Sequence, residues 1–192
     1  MVQRKRKRLI VISLILLGAI LLSLLVNLGI YVIERILYPT EYTEYVEKYA
    51  KEYNIPEYII FSIINVESRF DEKAISTAGA VGLMQMLPST FTWLSSLEHL
   101  NENLSPNELF KPEVSIRYGT YYLRYLFEKF YDWDLVFAAY NGGEGNVVEW
   151  LKNKEYTDRN GKLIKIPFPE TEKYVKKVNR NVEYYHDTYY KD

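Results

Sequence analysis

The feature that most restricts the fold of this chain is a stretch of 25 residues, Leu9 to Ile33, without a charged side chain. In hydrocarbon every backbone polar group must be satisfied within the protein, so a single segment of this kind crosses a bilayer only as a helix. As a helix it would be about 37 Å long, enough to cross a hydrocarbon core of ~30 Å with some tilt. The sequence therefore predicts a transmembrane anchor at residues 9–33, between a basic segment at residues 1–8 and a linker at residues 34–40.

The basic residues before this span predict its orientation. Positions 4 to 8 read RKRKR, and such clusters stay on the cytoplasmic side of a membrane. We therefore expect a single-pass protein with a cytoplasmic N-terminus and an extracellular or periplasmic domain. A cleaved signal peptide is the alternative, but its apolar region is about 7 to 15 residues long and ends at a small-residue cleavage site. Here the apolar stretch continues into NLGIYVIERILYP, which favours an uncleaved anchor.

Composition excludes several classes of function. Removing the five basic residues of the N-terminal segment from the chain's 24 leaves 19 basic against 25 acidic residues, a formal net charge of −6. An acidic domain of this kind is a poor partner for nucleic acid. The chain has no cysteine, and its two histidines, His99 and His186, lie far apart. We therefore expect no disulfides, no thiolate chemistry and no metal site.

Residues 41–192 carry helical periodicity, and no alternating strand pattern persists, so we expect a single all-α domain. Proline is common at the first helical position, so Pro88 and Pro106 predict helix starts. Gly119 lies on the apolar face of the segment from Glu113 to Phe130, which predicts that another helix approaches closely there. Apolar or aromatic residues recur at helical spacing in four segments: 42–53, 59–66, 116–130 and 174–185.

One acidic residue stands out within this pattern. Glu67 follows the apolar run YIIFSIINV and lies three and four residues after Ile64 and Ile63, on the buried face of the predicted helix. Burial disfavours the charged form of a carboxyl group and raises its pKa, as a general acid near neutral pH requires. A solvated helix-end glutamate paired with Arg69 or a lysine is the commoner explanation of such spacing, because structural ion pairs outnumber catalytic acids.

The residues around Glu67 form a motif that resembles the catalytic domain of lytic transglycosylases, a lysozyme-like family that cleaves bacterial peptidoglycan. Three further blocks, YGTYYLRYL, AAYNGGEGNV and IPFPETEKYVKKV, resemble later motifs of that family in the same order, and the resemblance covers residues 41 to about 185. It implies an all-helical lysozyme-like domain. The matching residues are Glu67-Ser68, Ala74-Ile75-Ser76, Gly79-Ala80-Val81-Gly82-Leu83-Met84-Gln85 and Pro88-Ser89-Thr90.

The resemblance also implies roles for individual residues. Glu67 would be the single catalytic acid and base, and Ser76 and Gln85 would line the sugar site beside it. Tyr140 would contact the sugar near the cleaved bond, and Glu170 would reach the cleft from the far side. The implied reaction breaks the β-1,4 bond between N-acetylmuramic acid and N-acetylglucosamine in peptidoglycan strands and closes a 1,6-anhydro ring, without a metal or cofactor.

A hydrolytic glycosidase would need a second carboxyl group. The nearest acids in sequence are Asp71 and Glu72, and Asp71 follows Arg69-Phe70, where we expect the helix to end. We therefore do not expect Asp71 to act as a nucleophile.

The chain departs from the family pattern at two places. Leu87 stands where the family commonly has methionine, and Asn141-Gly142-Gly143-Glu144-Gly145 replaces the usual Asn-Ala-Gly-Pro-Gly, which leaves the stiffness of that loop uncertain.

The alternative to an enzyme is a wall-binding or scaffold module that uses the same groove without turnover. The sequence does not decide the biological role, exolytic or endolytic action, the oligomeric state, or membership of a larger envelope complex.

Overall fold

The computed structural model describes residues 2–97, 100 and 104–191, so His99 lies outside the described residues. The chain divides into two compact units, one ending at Pro39 and one beginning at Thr40. The first unit is a single helix, α1 (Val2–Leu37). Its portion Arg6–Leu37 is long and apolar enough to cross a membrane by length and composition.

The second unit is helical, as the sequence predicts. The described residues contain isolated β-bridges but no β-strand, which confirms the all-α class. The second unit also contains a 3₁₀ helix (Pro106–Phe110) and a π-helical turn (His186–Tyr190). The α-helices are α2 (Thr43–Tyr53), α3 (Glu57–Glu67), α4 (Pro88–Ser95), α5 (Pro112–Phe130), α6 (Trp133–Gly142), α7 (Glu144–Lys152) and α8 (Pro169–Tyr185).

Local signals fix where several helices begin. Pro88 and Pro106 each occupy the first turn of their helix, which confirms the predicted starts. The Ser105 hydroxyl also accepts a hydrogen bond from the backbone N–H of Asn107, at 3.4 Å. Proline suits this position because the first N–H groups of a helix have no intrahelical partner.

Helix α3 forms the centre of the second unit. Its residues from Ile59 to Asn65 are all buried. On α8, Asn181 accepts a hydrogen bond at its side-chain oxygen from the Asn65 side-chain amide, at 2.9 Å. Each fully buried isoleucine in α3 contributes about 1.5 to 3 kcal/mol through burial. Apolar packing and this buried polar pair together hold α3 against α8, so the end of α3 has a fixed position.

The loop between α3 and α4 contains a compact segment, residues 74–86, which we call the 74–86 loop. Antiparallel bridges join Val81 to both Ile75 and Met86. Gly82 has φ +76°, and a Cβ atom placed on it would lie 2.2 Å from the backbone oxygen of Leu109. The loop is thus pressed against the 3₁₀ helix at a position that only glycine can occupy.

The close approach predicted at Gly119 exists, but its partner differs from the expectation. A Cβ atom placed on Gly119 would lie 2.3 Å from Sδ of Met84, in the 74–86 loop. The expectation of another helix was wrong, because the space beside Gly119 is filled by this loop. The hydroxyl of Ser115 on α5 holds the loop there by accepting a hydrogen bond from the backbone N–H of Met84, at 3.1 Å.

Candidate active site

Glu67 is the last residue of α3, and the chain changes direction immediately after it. Arg69 and Phe70 both adopt left-handed backbone conformations, with φ of 52° and 66°. Such angles cost energy for bulky residues and persist where surrounding packing holds them. The Phe70 ring is buried and lies 6.3 Å from the Phe61 ring, centroid to centroid. This turn confirms the predicted helix end and leaves the Glu67 carboxyl at the terminus of a buried helix.

The environment of Glu67 favours its neutral form. Burial raises the pKa of Glu67 to about 7, although the hydroxyl of Tyr174 and the positive charge of Lys177 act in the opposite direction. The negative end of the α3 dipole also disfavours a carboxylate at this position. Desolvation outweighs the nearby positive charge, so Glu67 is not a solvated surface ion pair. At neutral pH a large fraction of the molecules therefore carry a proton on Glu67.

Tyr174 contacts Glu67 directly. Its hydroxyl donates a hydrogen bond to Oε1 of Glu67 at 2.7 Å, and this contact joins α8 to the end of α3. The sequence indicated Tyr174 only as a member of the apolar stripe of α8, so its role in the site was missed. The available signal was its position in the block ETEKYVKKV, where a hydroxyl lies on an otherwise apolar face.

Tyr140 approaches the same carboxyl from α6. Burial raises the pKa of Tyr140 well above its usual value, and the charge of Glu67 raises it further. The Tyr140 hydroxyl donates a hydrogen bond to the backbone oxygen of Met84 at 2.8 Å. Beside it, the hydroxyl of Ser68 donates to the backbone oxygen of Leu83 at 2.8 Å. These bonds place the 74–86 loop next to Glu67.

Ser76 and Gln85 both belong to this loop and form hydrogen bonds within it. The Ser76 hydroxyl accepts from the backbone N–H of Ala80 at 2.9 Å. The Gln85 side-chain amide donates to the backbone oxygens of Ala74 at 3.0 Å and Gly82 at 2.9 Å. Both side chains are half-buried and stabilise the loop, while their contact with sugar stays a prediction.

Glu170 lies in the first turn of α8, four residues before Tyr174, and is exposed. It borders a cavity of about 410 Å³ together with Asn141, Gly142, Phe168 and Thr171. Glu170 is thus placed near the residue that follows Tyr140, and its contact with substrate also stays a prediction.

Asp71, the acidic residue that follows Glu67 in the sequence, lies in a different environment. Asp71 is exposed, and its Oδ1 accepts a hydrogen bond from the backbone N–H of Lys73 at 2.9 Å, within a turn. Among the described residues, no second carboxylate contributes to the pKa shift of Glu67. The same part of the chain contains no group of three or more His, Cys, Asp or Glu side chains that could hold a metal ion.

Comparison with known proteins finds several relatives. The chain is 36% identical over 151 residues to the soluble lytic murein transglycosylase of Escherichia coli, covering 77% of this chain and 23% of that protein. It is 36% identical over 121 residues to the membrane-bound lytic murein transglycosylase C of Histophilus somni, covering 58% of this chain and 33% of the relative. The chain thus spans about a quarter to a third of the length of these relatives.

Solved structures and a family match agree with these relatives. A 70-kDa soluble lytic transglycosylase in complex with bulgecin A aligns with a TM-score of 0.73 and 34% identity, over 81% of this chain and 25% of that one. An inactive mutant of the lytic transglycosylase Slt from Pseudomonas aeruginosa aligns with a TM-score of 0.71 and 33% identity, over 80% of this chain and 25% of that one. The transglycosylase SLT domain matches residues 44–162. These matches show that the chain belongs to the transglycosylase SLT domain family.

Proposed function

We propose that this protein is a membrane-anchored peptidoglycan lytic transglycosylase. It cleaves the β-1,4 bond between N-acetylmuramic acid and N-acetylglucosamine, and it leaves a 1,6-anhydro ring on the muramic acid. The observation that carries this proposal is the half-buried carboxyl group of Glu67 at the end of α3, whose pKa is raised by burial to about 7, with no second carboxylate acting on it among the described residues. The relatives named lytic murein transglycosylases support the substrate class.

In the first step Glu67 acts as general acid. Tyr174 donates its hydrogen bond to Oε1, so Oε2 is the oxygen that carries the transferable proton. This proton passes to the glycosidic oxygen as the bond to the anomeric carbon breaks. The N-acetyl group of the substrate stabilises the positive anomeric carbon. A pKa near 7 suits this role, because a general acid works best when its pKa is close to the working pH.

In the second step the ionised Glu67 acts as general base. The Tyr174 hydrogen bond and the positive charge of Lys177 both favour the carboxylate, which limits the cost of ionisation in a buried site. The carboxylate takes the proton from the C6 hydroxyl of the muramic acid, and that oxygen closes the ring on the anomeric carbon. The proton count of Glu67 is restored, so one residue serves both steps. Ser76, Gln85, Tyr140 and Glu170 are proposed to bind the sugars.

The product tests this mechanism. We expect muropeptides that are one water lighter than hydrolytic products and whose muramic ends resist borohydride reduction. An intramolecular hydroxyl held in place reaches an effective molarity of up to ~10⁵ to 10⁸ M, so it should outcompete water. The measurement is mass spectrometry of purified cell walls digested with the protein, before and after reduction. Mainly reducible muramic ends would replace this mechanism with a hydrolytic one, and binding to walls without release of any fragment would support a scaffold module.

Removing the Tyr174 hydroxyl should shift the pH dependence of catalysis. Burial raises the pKa of Glu67 to about 7, although the hydrogen bond from Tyr174 lowers it. The acid form is needed, so wild-type kcat/KM should fall as pH rises through about 7. In Tyr174→Phe this fall should move to higher pH, while kcat decreases because the carboxylate loses a stabilising donor. The measurement is the pH profile of kcat/KM, and an unchanged profile would show that Tyr174 does not act on Glu67.

The membrane anchor and its orientation are also part of the proposal. The apolar portion Arg6–Leu37 of α1 and the membrane-bound relatives both support membrane association. The basic residues before the span favour a cytoplasmic N-terminus. A protease added to intact protoplasts should therefore digest the domain that begins near Thr40. If the domain is digested only after the membrane is opened, the orientation is the reverse.

A further inference from the structure

A row of aromatic rings extends from Tyr140 across α5 to α4. The Tyr140 and Tyr122 ring centroids are 5.4 Å apart, and Tyr122 lies 6.3 Å from Tyr125 with the two rings nearly parallel. Trp93 then meets Tyr125 edge to face at 5.0 Å. We call these four residues the aromatic row. Its inner end lies beside Glu67, and its outer end reaches the surface, where Trp93 is 38% exposed.

Trp93 is not the residue that fixes α4 to the core. Phe91 and Leu94, its neighbours on the same helix, are fully buried. Phe91 packs against Tyr118 of α5 with ring centroids 4.5 Å apart. The position of α4 is therefore determined by the other face of the helix, and a large indole group at position 93 is not required for packing.

Charged groups lie at the outer end of the aromatic row. The Tyr125 hydroxyl donates to Oε1 of Glu144 at 3.4 Å, and Lys129 forms an ion pair with the same oxygen. Glu144 is one of the residues that depart from the family pattern, since it replaces the proline of Asn-Ala-Gly-Pro-Gly. A proline could not bind Lys129 or Tyr125, so this group of contacts depends on the glutamate at position 144.

An exposed aromatic ring beside fixed polar groups is suited to bind a sugar. A pyranose ring has apolar C–H faces that stack on an aromatic surface, and hydroxyl and amide groups that pair with polar side chains around its edge. Trp93 and Tyr125 supply the aromatic surface, and Lys129 and Glu144 supply a donor and an acceptor. Because the aromatic row begins at Tyr140, beside Glu67, a sugar bound at its outer end would belong to the same glycan strand as the sugar bound at Glu67.

We propose that Trp93, Tyr125, Lys129 and Glu144 form an additional subsite for an N-acetylated hexosamine of the glycan strand, distant from the bond that is cleaved. The inference rests on the proposed function, because it takes the occupant of the cleft to be a glycan. Its consequence is a preference for long strands over short ones, since a short fragment fills the site at Glu67 without reaching Trp93.

Binding to the full-length Glu67→Gln protein in detergent tests this proposal without turnover. The probes are the disaccharide and the hexasaccharide of N-acetylglucosamine, titrated by calorimetry. Adding Trp93→Ala should weaken hexasaccharide binding about five- to tenfold, the size of one lost aromatic contact, and leave disaccharide binding unchanged. The matched control is Tyr131→Ala, which removes a ring that is 76% exposed and lies outside the aromatic row, and it should change neither affinity.

A second measurement does not depend on the stability of the alanine variant. Trp93→Phe keeps an aromatic ring and removes one indole, leaving Trp133 and Trp150 as the remaining fluorophores. The hexasaccharide should change the tryptophan fluorescence of the Glu67→Gln protein, and most of that change should disappear when Trp93→Phe is added.

The outcomes separate this inference from the proposed function. Equal hexasaccharide affinity with and without Trp93, or an unchanged fluorescence response in Trp93→Phe, would overturn the subsite and leave the proposed function intact. If the Glu67→Gln protein binds neither oligomer and the wild-type protein releases no muropeptides, the proposed function is wrong and the subsite falls with it.

Discussion

Glu67→Gln should strongly reduce the rate of cell-wall digestion. General acid catalysis contributes a factor of about 10² to 10⁴ to the rate. The loss should lie at or beyond the upper end, because in the proposed mechanism the same carboxyl group donates a proton in one step and accepts one in the next. Glutamine keeps the size of the side chain and can still accept the hydrogen bond from Tyr174, so the fold should survive. The measurement is release of soluble muropeptides from purified walls.

The same variant has a predicted effect on stability that depends on pH. The pKa of Glu67 is about 7 in the folded protein and 4.5 as the reference for the unfolded chain. Between these values the folded state binds more protons than the unfolded state, so the free energy of unfolding of the wild-type protein falls as pH rises. The shift corresponds to about 3 kcal/mol. Glu67→Gln should therefore be more stable than the wild type by up to that amount above pH 7, with little difference near pH 4.5.

The matched control is Asp71→Asn, which removes the negative charge of an exposed carboxylate four residues further along the chain. It should leave the rate of wall digestion unchanged, because Asp71 bonds within its own turn. A Glu67→Gln variant that digests walls at the wild-type rate would remove Glu67 from the mechanism. A large loss in Asp71→Asn would instead indicate a second carboxylate and hydrolytic chemistry.

Gly82→Ala is expected to cause a large loss of stability. The added Cβ would lie 2.2 Å from the backbone oxygen of Leu109, and the residue has φ +76°. A left-handed alanine costs about 1 to 2 kcal/mol and overpacking about 1 to 3 kcal/mol, so we expect a loss of about 2 to 5 kcal/mol. This is a large part of the 5 to 15 kcal/mol that typically stabilises a domain. The measurement is the free energy of unfolding in denaturant.

Gly79→Ala is the matched control for this prediction. Gly79 has a similar φ of +81°, but a Cβ placed on it meets nothing within 4 Å. It should therefore lose only the cost of a left-handed alanine, about 1 to 2 kcal/mol. Similar losses in the two variants would show that the contact with Leu109 does not constrain the loop. Activity should fall with stability in Gly82→Ala, because the loop carries the backbone oxygen of Met84 that binds Tyr140.

The sequence alone determined the features that depend on residues close together along the chain. The charge-free stretch before Glu34 predicted a helix suited to a membrane, and Pro88 and Pro106 marked helix starts that the structure confirms. The apolar spacing before Glu67 predicted a partly desolvated carboxyl at a helix end, and in the structure Glu67 is the half-buried last residue of α3 with its pKa raised by burial. Helical periodicity and proline geometry act over a few residues, so they can be read directly from the chain.

The tertiary structure decided which distant residues meet. Tyr174 lies 107 positions after Glu67, and its place in an apolar stripe indicated packing, not a hydrogen bond to the carboxyl. Gly119 was correctly predicted to be crowded, but its partner is Met84 from a loop and not another helix. Periodicity shows that a face is buried without showing what covers it, because the partner depends on how separate helices and loops pack together. The same reason explains why the row from Tyr140 to Trp93 is visible only in the folded chain.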